Sequence, residues 1–369
     1  GANLISSASN QAINLYAQNN INTTATGVTV QTAGGNILFA SNLSNNYGSI
    51  DLDRATVSSA GGDITLGGGA TGTAYAIGDS SSSVPTYATS SVYKGIWLNG
   101  VTLNAGGTSV GGNISLMGKG WQGANWNNTA GIYYAIGIDV TGYTAGTSIY
   151  TNNAGTISLN GVGGLNYDST THSAGINLYN GSGTTANYIY SASGVVNLTG
   201  TSGTAGTGGG ARLYVGVNED SGTTYIYSTS GNVKLNGITS SISQTGIYVN
   251  GSSSYAGNVY LGWNGASTVS SGNLNLTADT VATNGSYGLL SVKNTGTLTV
   301  APNSSSFNST LSFPSSSITV VSTNGLVLGK SGNTSGITIA ANTSIAGPVT
   351  LYGGVITLNL SLIHISEPT

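Results

Sequence analysis

The sequence predicts an all-β solenoid, and three observations carry that reading. A unit recurs: YIYSASGVVNLTG at 188–200 returns as YIYSTSGNVKLNG at 225–237, and a looser copy, SIYTNNAGTISLNG, spans 148–161. Within each copy apolar and polar residues alternate, the pattern of a strand with one buried face. The composition is rich in turn formers, with 59 Gly among 369 residues, yet 38% of the chain is hydrophobic, too much for a disordered chain. A unit this short cannot bury its apolar face alone, so copies must stack into one core.

The strands fall into two sets. The first reads Gly-x-(Ile/Val/Leu)-x-(Leu/Val/Phe), beginning at 35, 62, 112, 155, 194, 231, 257, 272 and 296. The second reads Gly-Ile-x-(Leu/Val), at 95, 137, 175 and 246, with AINLYA at 12 as a weaker member and LYVGV at 213 filling the gap. Both sets recur at similar, long intervals. Such an interval suggests two coils of about 20 residues each, and at about 4.8 Å per layer a right-handed parallel rod of roughly 17 coils and about 80 Å. A β-propeller blade has a similar repeat, but its Trp-Asp signature is missing and its strands are joined by tight hairpins.

Asn-Gly pairs at 99–100, 160–161, 236–237 and 250–251 are expected at the corners, where left-handed backbone is needed. Asn-Gly is also a strong hairpin signal, the main observation against a parallel coil. The connections that follow first-set strands, at 67–94, 117–130, 160–174, 199–210 and 237–245, vary most in length. Insertions at one corner map to one side of a rod, often the binding side. From about 257 to 325 the register shortens, which reads as a changed cross-section within a single solenoid over 1–359.

Composition narrows the function. Only 5% of residues are charged and the net charge is −3, which leaves no electrostatic footprint for nucleic acid. Without cysteine there are no disulfides, thiol catalysis or cysteine-ligated metals. No apolar run approaches the ~18 residues of a membrane span. Acid–base chemistry needs grouped carboxylates or a partnered histidine. Asp51 and Asp53 share one strand face beside Arg54 and could hold a cation, but the alternation with Ile50 and Leu52 sends both to solvent. Glu219-Asp220 reads as a turn, and His172 as a loop residue shortly after Asp168. No catalytic residue, metal site or cofactor is expected.

The aromatic residues point to binding. Tyr150, Tyr188, Tyr190, Tyr225 and Tyr227 occupy outward positions of the repeat, Trp97 and Tyr248 share the outward position of the second set, and Trp121 and Trp126 crowd one connection with Tyr133 and Tyr134. Exposed aromatics among hydroxyls and amides grip sugars and protein faces. With two coils per repeat, a tyrosine would recur about every 9.6 Å, too far for ring stacking.

The Gly-Gly-Asn-Ile-x-Leu strands, the Gly-Ile-x-(Leu/Val)-Asn-Gly strands and the closing LVLGKSGNTSGITIAANTSIAGPVTLYGGVITLN resemble filamentous-haemagglutinin-like, β-strand-repeat exoproteins of Gram-negative bacteria. The resemblance covers essentially 1–359. It implies a right-handed parallel β-helix exported by two-partner secretion through a TpsB-type outer-membrane transporter, or an autotransporter passenger. It also implies an extracellular or cell-surface adhesin or fibre, with surface glycans or proteins as partners and lateral self-association between rods. No catalytic residues carry over. The alternative is a polysaccharide-processing β-helix of the lyase or tailspike kind, which should gather acids with Lys or Arg in a groove. The last residues, SLIHISEPT at 361–369, break the composition and resemble translated sequencing-adaptor read-through, so the natural chain is expected to continue past about Asn359.

Overall fold

A computed structural model describes residues 3–359 except 24–25, 45–46, 79–92, 122–134, 167–172, 182–184, 206–214, 252–255, 342 and 344. Every ladder between its named strands is parallel, and the strands stack in sequential order as a β-helix. Each central coil contributes three main strands, and two of these coils add a short fourth, Leu165–Asn166 paired with Thr204–Ala205. One coil runs Ile138–Thr141 on side 1, Ser148–Thr151 on side 2 and Ile157–Val162 on side 3. The next repeats the order with Ile176–Tyr179, Ala186–Ser191 and Val196–Thr201. Sides 1 and 2 join in one 17-stranded sheet because Val215–Ser228 runs unbroken from one to the other.

The long repeat is therefore one three-sided coil and not two smaller coils. Ile157 pairs with Val196, the matching residue of the next repeat, and Val196 pairs with Val233 in the one after. Short strands that alternate for only a few residues leave this open in one dimension; the hydrogen-bonded partner decides it. The side-3 sheet has twelve strands, with Ala76–Ile77 pairing off the main path, so its stack is about 50 Å long, well short of the expected rod. Coils are shorter at both ends, where Leu274 already pairs with Leu298 and Ile13 with Ile37. Beyond Val281–Thr283 the side-1 ladder gives way to a separate sheet of Leu311–Ser312, Ile337–Ile339 and Ile356–Leu358.

The core is a set of vertical columns. Ile50, Ile96, Ile138, Ile176, Val217 and Ile247 stack on side 1, Val57, Leu103, Ile149, Ile189 and Ile226 on side 2. All are within 3% of full burial. Each inward aliphatic side chain contributes about 1.5–3 kcal/mol through its removal from water.

The corner into side 3 is built from glycine. From Gly35 through Gly62, Gly112, Gly155, Gly194, Gly231 and Gly272 to Gly296, a Cβ on each would fall well inside 3.0 Å of a carbonyl oxygen one coil below. Buried hydroxyls at the end of side 2 bind those carbonyls: Ser191 donates to Gly155 O at 2.7 Å, Ser228 to Gly194 O at 2.7 Å and Thr151 to Gly112 O at 2.8 Å. The position after each glycine adds an outer ladder, in which Asn113 N donates to Asp63 Oδ1 at 2.7 Å and Thr156 N to Asn113 Oδ1 at 3.0 Å.

Several sequence expectations change. Asn160-Gly161 and Asn236-Gly237 lie inside side-3 strands and are not corners. Their glycines form a column, Gly118–Gly161–Gly200–Gly237, that lets side 3 pass against the backbone entering side 1. Of the four Asn-Gly pairs, only Asn99-Gly100 carries a left-handed glycine, with φ +61°. GNVYL at 257 belongs to side 2, not with the side-3 strands it resembles, and AINLYA at 12 belongs to side 3. Glu219 and Asp220 sit within the strand Val215–Ser228 and form no turn. Glu219 takes a place in a core column opposite Leu178 and Val249 and is 1% exposed.

Replacing Gly194 with Ala forces a methyl group against the Gly155 carbonyl. The expected loss is about 1–3 kcal/mol of stability, measured as a shift in the denaturant midpoint.

Candidate functional site

Side 2 carries two tyrosine columns. Parallel pairing in register places Tyr188, Tyr225 and Tyr260 one above another, and Tyr150, Tyr190 and Tyr227 two positions along the strand. The inward neighbours Ile149, Ile189 and Ile226 fill the core, so alternation sends the phenols to the opposite face. In the first column the ring centroids are 5.0 Å apart at both steps, with planes 16–17° apart. In the second they are 5.2 and 5.1 Å apart, with planes 3–4° apart. The wide spacing expected from two coils per repeat is thus halved and the rings stack, because every repeat supplies one layer.

Stacking changes what the columns offer. The faces of Tyr190 and Tyr225 are covered by neighbours on both sides, so a sugar cannot lie flat on them. What remains is a row of ring edges and hydroxyls, one per coil. Tyr260 and Trp263 escaped sequence reading because GNVYL resembles a side-3 strand. The indole of Trp263 meets Tyr260 edge-on at 5.3 Å, and Lys293 Nζ lies 5.0 Å from the indole centroid. The loop that carries Trp263 is pinned by Asn264 Oδ1, which accepts from the amides of Ala266 and Thr268, both at 3.0 Å.

Three of the stacked phenols, Tyr190, Tyr225 and Tyr227, resist ionisation. Burial, then the neighbouring Tyr190 and Tyr188, pushes the Tyr227 hydroxyl up to about 12. Burial raises Tyr190 as well, with Tyr150 adding to it, and raises Tyr225, with Tyr188 and Tyr260 adding to it. These groups hold their protons more tightly folded than unfolded. Their stabilisation is complete below the ordinary phenol value of about 10 and is lost as pH rises through the folded values.

On side 1 the outward column runs Asp51, Trp97, Asp139, Asn177, Asn218 and Tyr248. Trp97 and Tyr248 do share the outward position, but three polar residues separate them. Asp51 is 3% exposed, contrary to the solvent-facing expectation, because the outer face of side 1 is itself largely covered; Asp139, Asn177 and Asn218 are buried alongside it. Asp53 is at the edge, where Arg54 Nη2 donates to it at 2.7 Å and Asn99 Nδ2 at 2.7 Å. Asp51 and Asp53 are thus held apart by different partners, Ser49 Oγ donating to Asp51 Oδ2 at 3.1 Å.

Lys94 and Asp139 form an ion pair at 2.5 Å, with side chains only 5% and 3% exposed. Lys94 Nζ also lies 5.4 Å from the Trp97 ring centroid. Asn177 Nδ2 donates to Asp139 Oδ1 at 2.8 Å and Asn218 Nδ2 to Asn177 Oδ1 at 2.8 Å, an amide row oriented by the carboxylate. Sequence reading passed over this pair because Lys94 and Asp139 are far apart in the chain and in unlike contexts. The one available signal was Asp139 occupying the Trp97 position of its repeat. Trp121 stands nearby against Tyr93, edge-on at 6.3 Å. Trp126, Tyr133, Tyr134, Asp168, His172 and 361–369 lie outside the described residues.

Comparison of the chain with protein-family models, with curated proteins and with solved structures finds no match.

Alkaline titration should lower the unfolding midpoint from about pH 10 upward, and Tyr227→Phe should remove part of that loss. Phenolate absorbance gives the titration and circular dichroism the unfolding. Lys94→Met leaves the Asp139 charge buried and should cost about 3–5 kcal/mol, most of it recovered in the Lys94→Met, Asp139→Leu double variant; chemical denaturation reads both.

Proposed function

We propose that this chain is a non-enzymatic β-helical contact rod that acts outside the cell or on its outer surface by many weak interactions. The observation that carries the reading is the pair of side-2 tyrosine columns, which repeat the same chemical group at 5.0–5.2 Å along the axis. A repeated group on a rigid rod gains avidity by effective concentration, without any single strong contact. Surface glycans and protein faces both present hydroxyls and carbonyls that a row of phenols can bind, and rods can also associate laterally through the same columns. A cysteine-free chain folding by local stacking suits export through a TpsB-type transporter or as an autotransporter passenger.

The polysaccharide-processing alternative finds one favourable observation, the carboxylate and ammonium together at Asp139 and Lys94. Those two charges are engaged with each other and with Asn177, which leaves neither poised as a general acid or base.

Retention of the immobilised chain on glycan arrays and on whole cells tests the reading. The Tyr190→Ser, Tyr227→Ser double variant should reduce retention at least tenfold, and Tyr16→Ser, at an exposed tyrosine outside the columns, should not. A double variant that changes sedimentation but not retention would assign the columns to rod–rod contact. Turnover of any polysaccharide by the intact chain would overturn the non-enzymatic reading.

A further inference from the structure

The outer face of side 1 holds a cleft of about 200 Å³ between neighbouring coils. Lys94, Asp139, Asn177 and Thr141 line its floor, and Tyr143 and Tyr179 stand at its edge with rings 5.2 Å apart and tilted by 56°. The floor is hydrogen-bonded and largely removed from solvent. Lys94, Asp139, Thr141 and Asn177 are all buried, and Thr141 Oγ1 is tied to Leu98 O at 3.1 Å. We propose that this cleft binds one neutral sugar residue, a hexopyranose unit of a larger glycan.

The chemistry of the floor selects that class. The Lys94–Asp139 pair is internally neutralised, so an anion or cation would meet no net opposite charge and would have to break a buried ion pair to find one. The pair still has capacity for a neutral ligand. Asp139 uses one contact on each carboxylate oxygen, Oδ2 to Lys94 and Oδ1 to Asn177, and each oxygen can accept once more. Lys94 has further N–H groups, and Asn177 Nδ2 has a second hydrogen beyond the one given to Asp139. Acceptors and donors side by side match hydroxyl groups, each of which both donates and accepts. Adjacent ring hydroxyls of a sugar can give to Asp139 while receiving from Lys94 and Asn177. The tyrosine rings supply the apolar surface that the C–H face of a pyranose needs.

A row of amides orients the acceptor on the floor. The amide row ends at Asn218, whose side chain is 1% exposed and whose Oδ1 finds no donor among the described residues. The row is thus polarised toward the Asp139 carboxylate, with its unsatisfied end on the far side. Both amide hydrogen bonds in it run toward the cleft, so Asp139 is held as an oriented acceptor. The volume accommodates a single ring and not a disaccharide, so the rest of a glycan would extend along the rod.

This inference rests on the non-enzymatic reading in one respect only, that the sugar is held and not cleaved. The test is titration of the full chain with methyl glycosides of glucose, galactose, mannose and N-acetylglucosamine, with N-acetylneuraminic acid as the charged probe, followed by saturation-transfer NMR and calorimetry. At least one neutral glycoside should bind, with affinity at least tenfold weaker in Tyr143→Ala and in Tyr179→Ala. Tyr143 is 50% exposed, so its loss leaves the core intact, and unchanged thermal unfolding checks that. Tyr16→Ala should bind as the unaltered chain does. Absence of binding by all four neutral probes, tighter binding of the charged probe, or binding undiminished in both tyrosine variants would overturn the assignment. Cleavage of a bound glycoside, lost in the same variants, would keep the ligand and overturn the non-enzymatic reading instead.

Discussion

The close approach of backbone to backbone at the corner into side 3 is the constraint on which the rest of the structure depends. Gly35 to Gly296 stand over one another so tightly that no side chain fits between them. That packing turns the chain sharply after side 2 and holds every side-3 strand in the same register. With the register fixed, any residue type placed once per repeat becomes a column. Isoleucine and leucine columns form the core, serine and threonine columns hold the corner carbonyls, and asparagine or aspartate columns bind the next backbone amide. The tyrosine columns are the same geometry applied to the outer face.

Stacking in register also explains the low charge. Identical ionised groups about 4.8 Å apart repel with little solvent between them, whereas amides, hydroxyls and phenols attract their own kind. Where charge does occur on a stacked face it is broken up. Asp139 stands between Trp97 and Asn177, and Asp51 lies below Trp97. Tyr190, Tyr225 and Tyr227 carry the same logic into their titration, since each of these phenolates would form beside other tyrosines in a partly buried stack. A neutral surface is therefore a consequence of the architecture and not a separate adaptation.

Functionally, the rod presents two unlike outer faces. Side 2 offers a regular row, suited to many equivalent contacts. Side 1 is irregular, because the connections of variable length enter there and bring residues such as Lys94 against the sheet. On the proposed reading the regular face would give avidity and the irregular face selectivity. The cleft would then choose a sugar residue and the columns would prolong attachment.

The alternation around Ile149, Ile189 and Ile226, the glycines preceding each side-3 strand, and the outward setting of Tyr150, Tyr188 and Tyr225 were determined by local sequence, since strand pleat and backbone crowding act within a few residues. The number of sides per coil was not, because a repeat of this length fits one three-sided coil or two smaller ones, and only the hydrogen-bonded partner of each strand chooses between them. That choice halves the axial spacing, which is why tyrosines expected to stand apart stack at 5.0–5.2 Å. Tertiary structure alone decided the membership of Tyr260 in a column, the burial of Glu219 in a core position and the pairing of Lys94 with Asp139. Each depends on contacts between coils, and sequence neighbours carry no record of what lies one layer above.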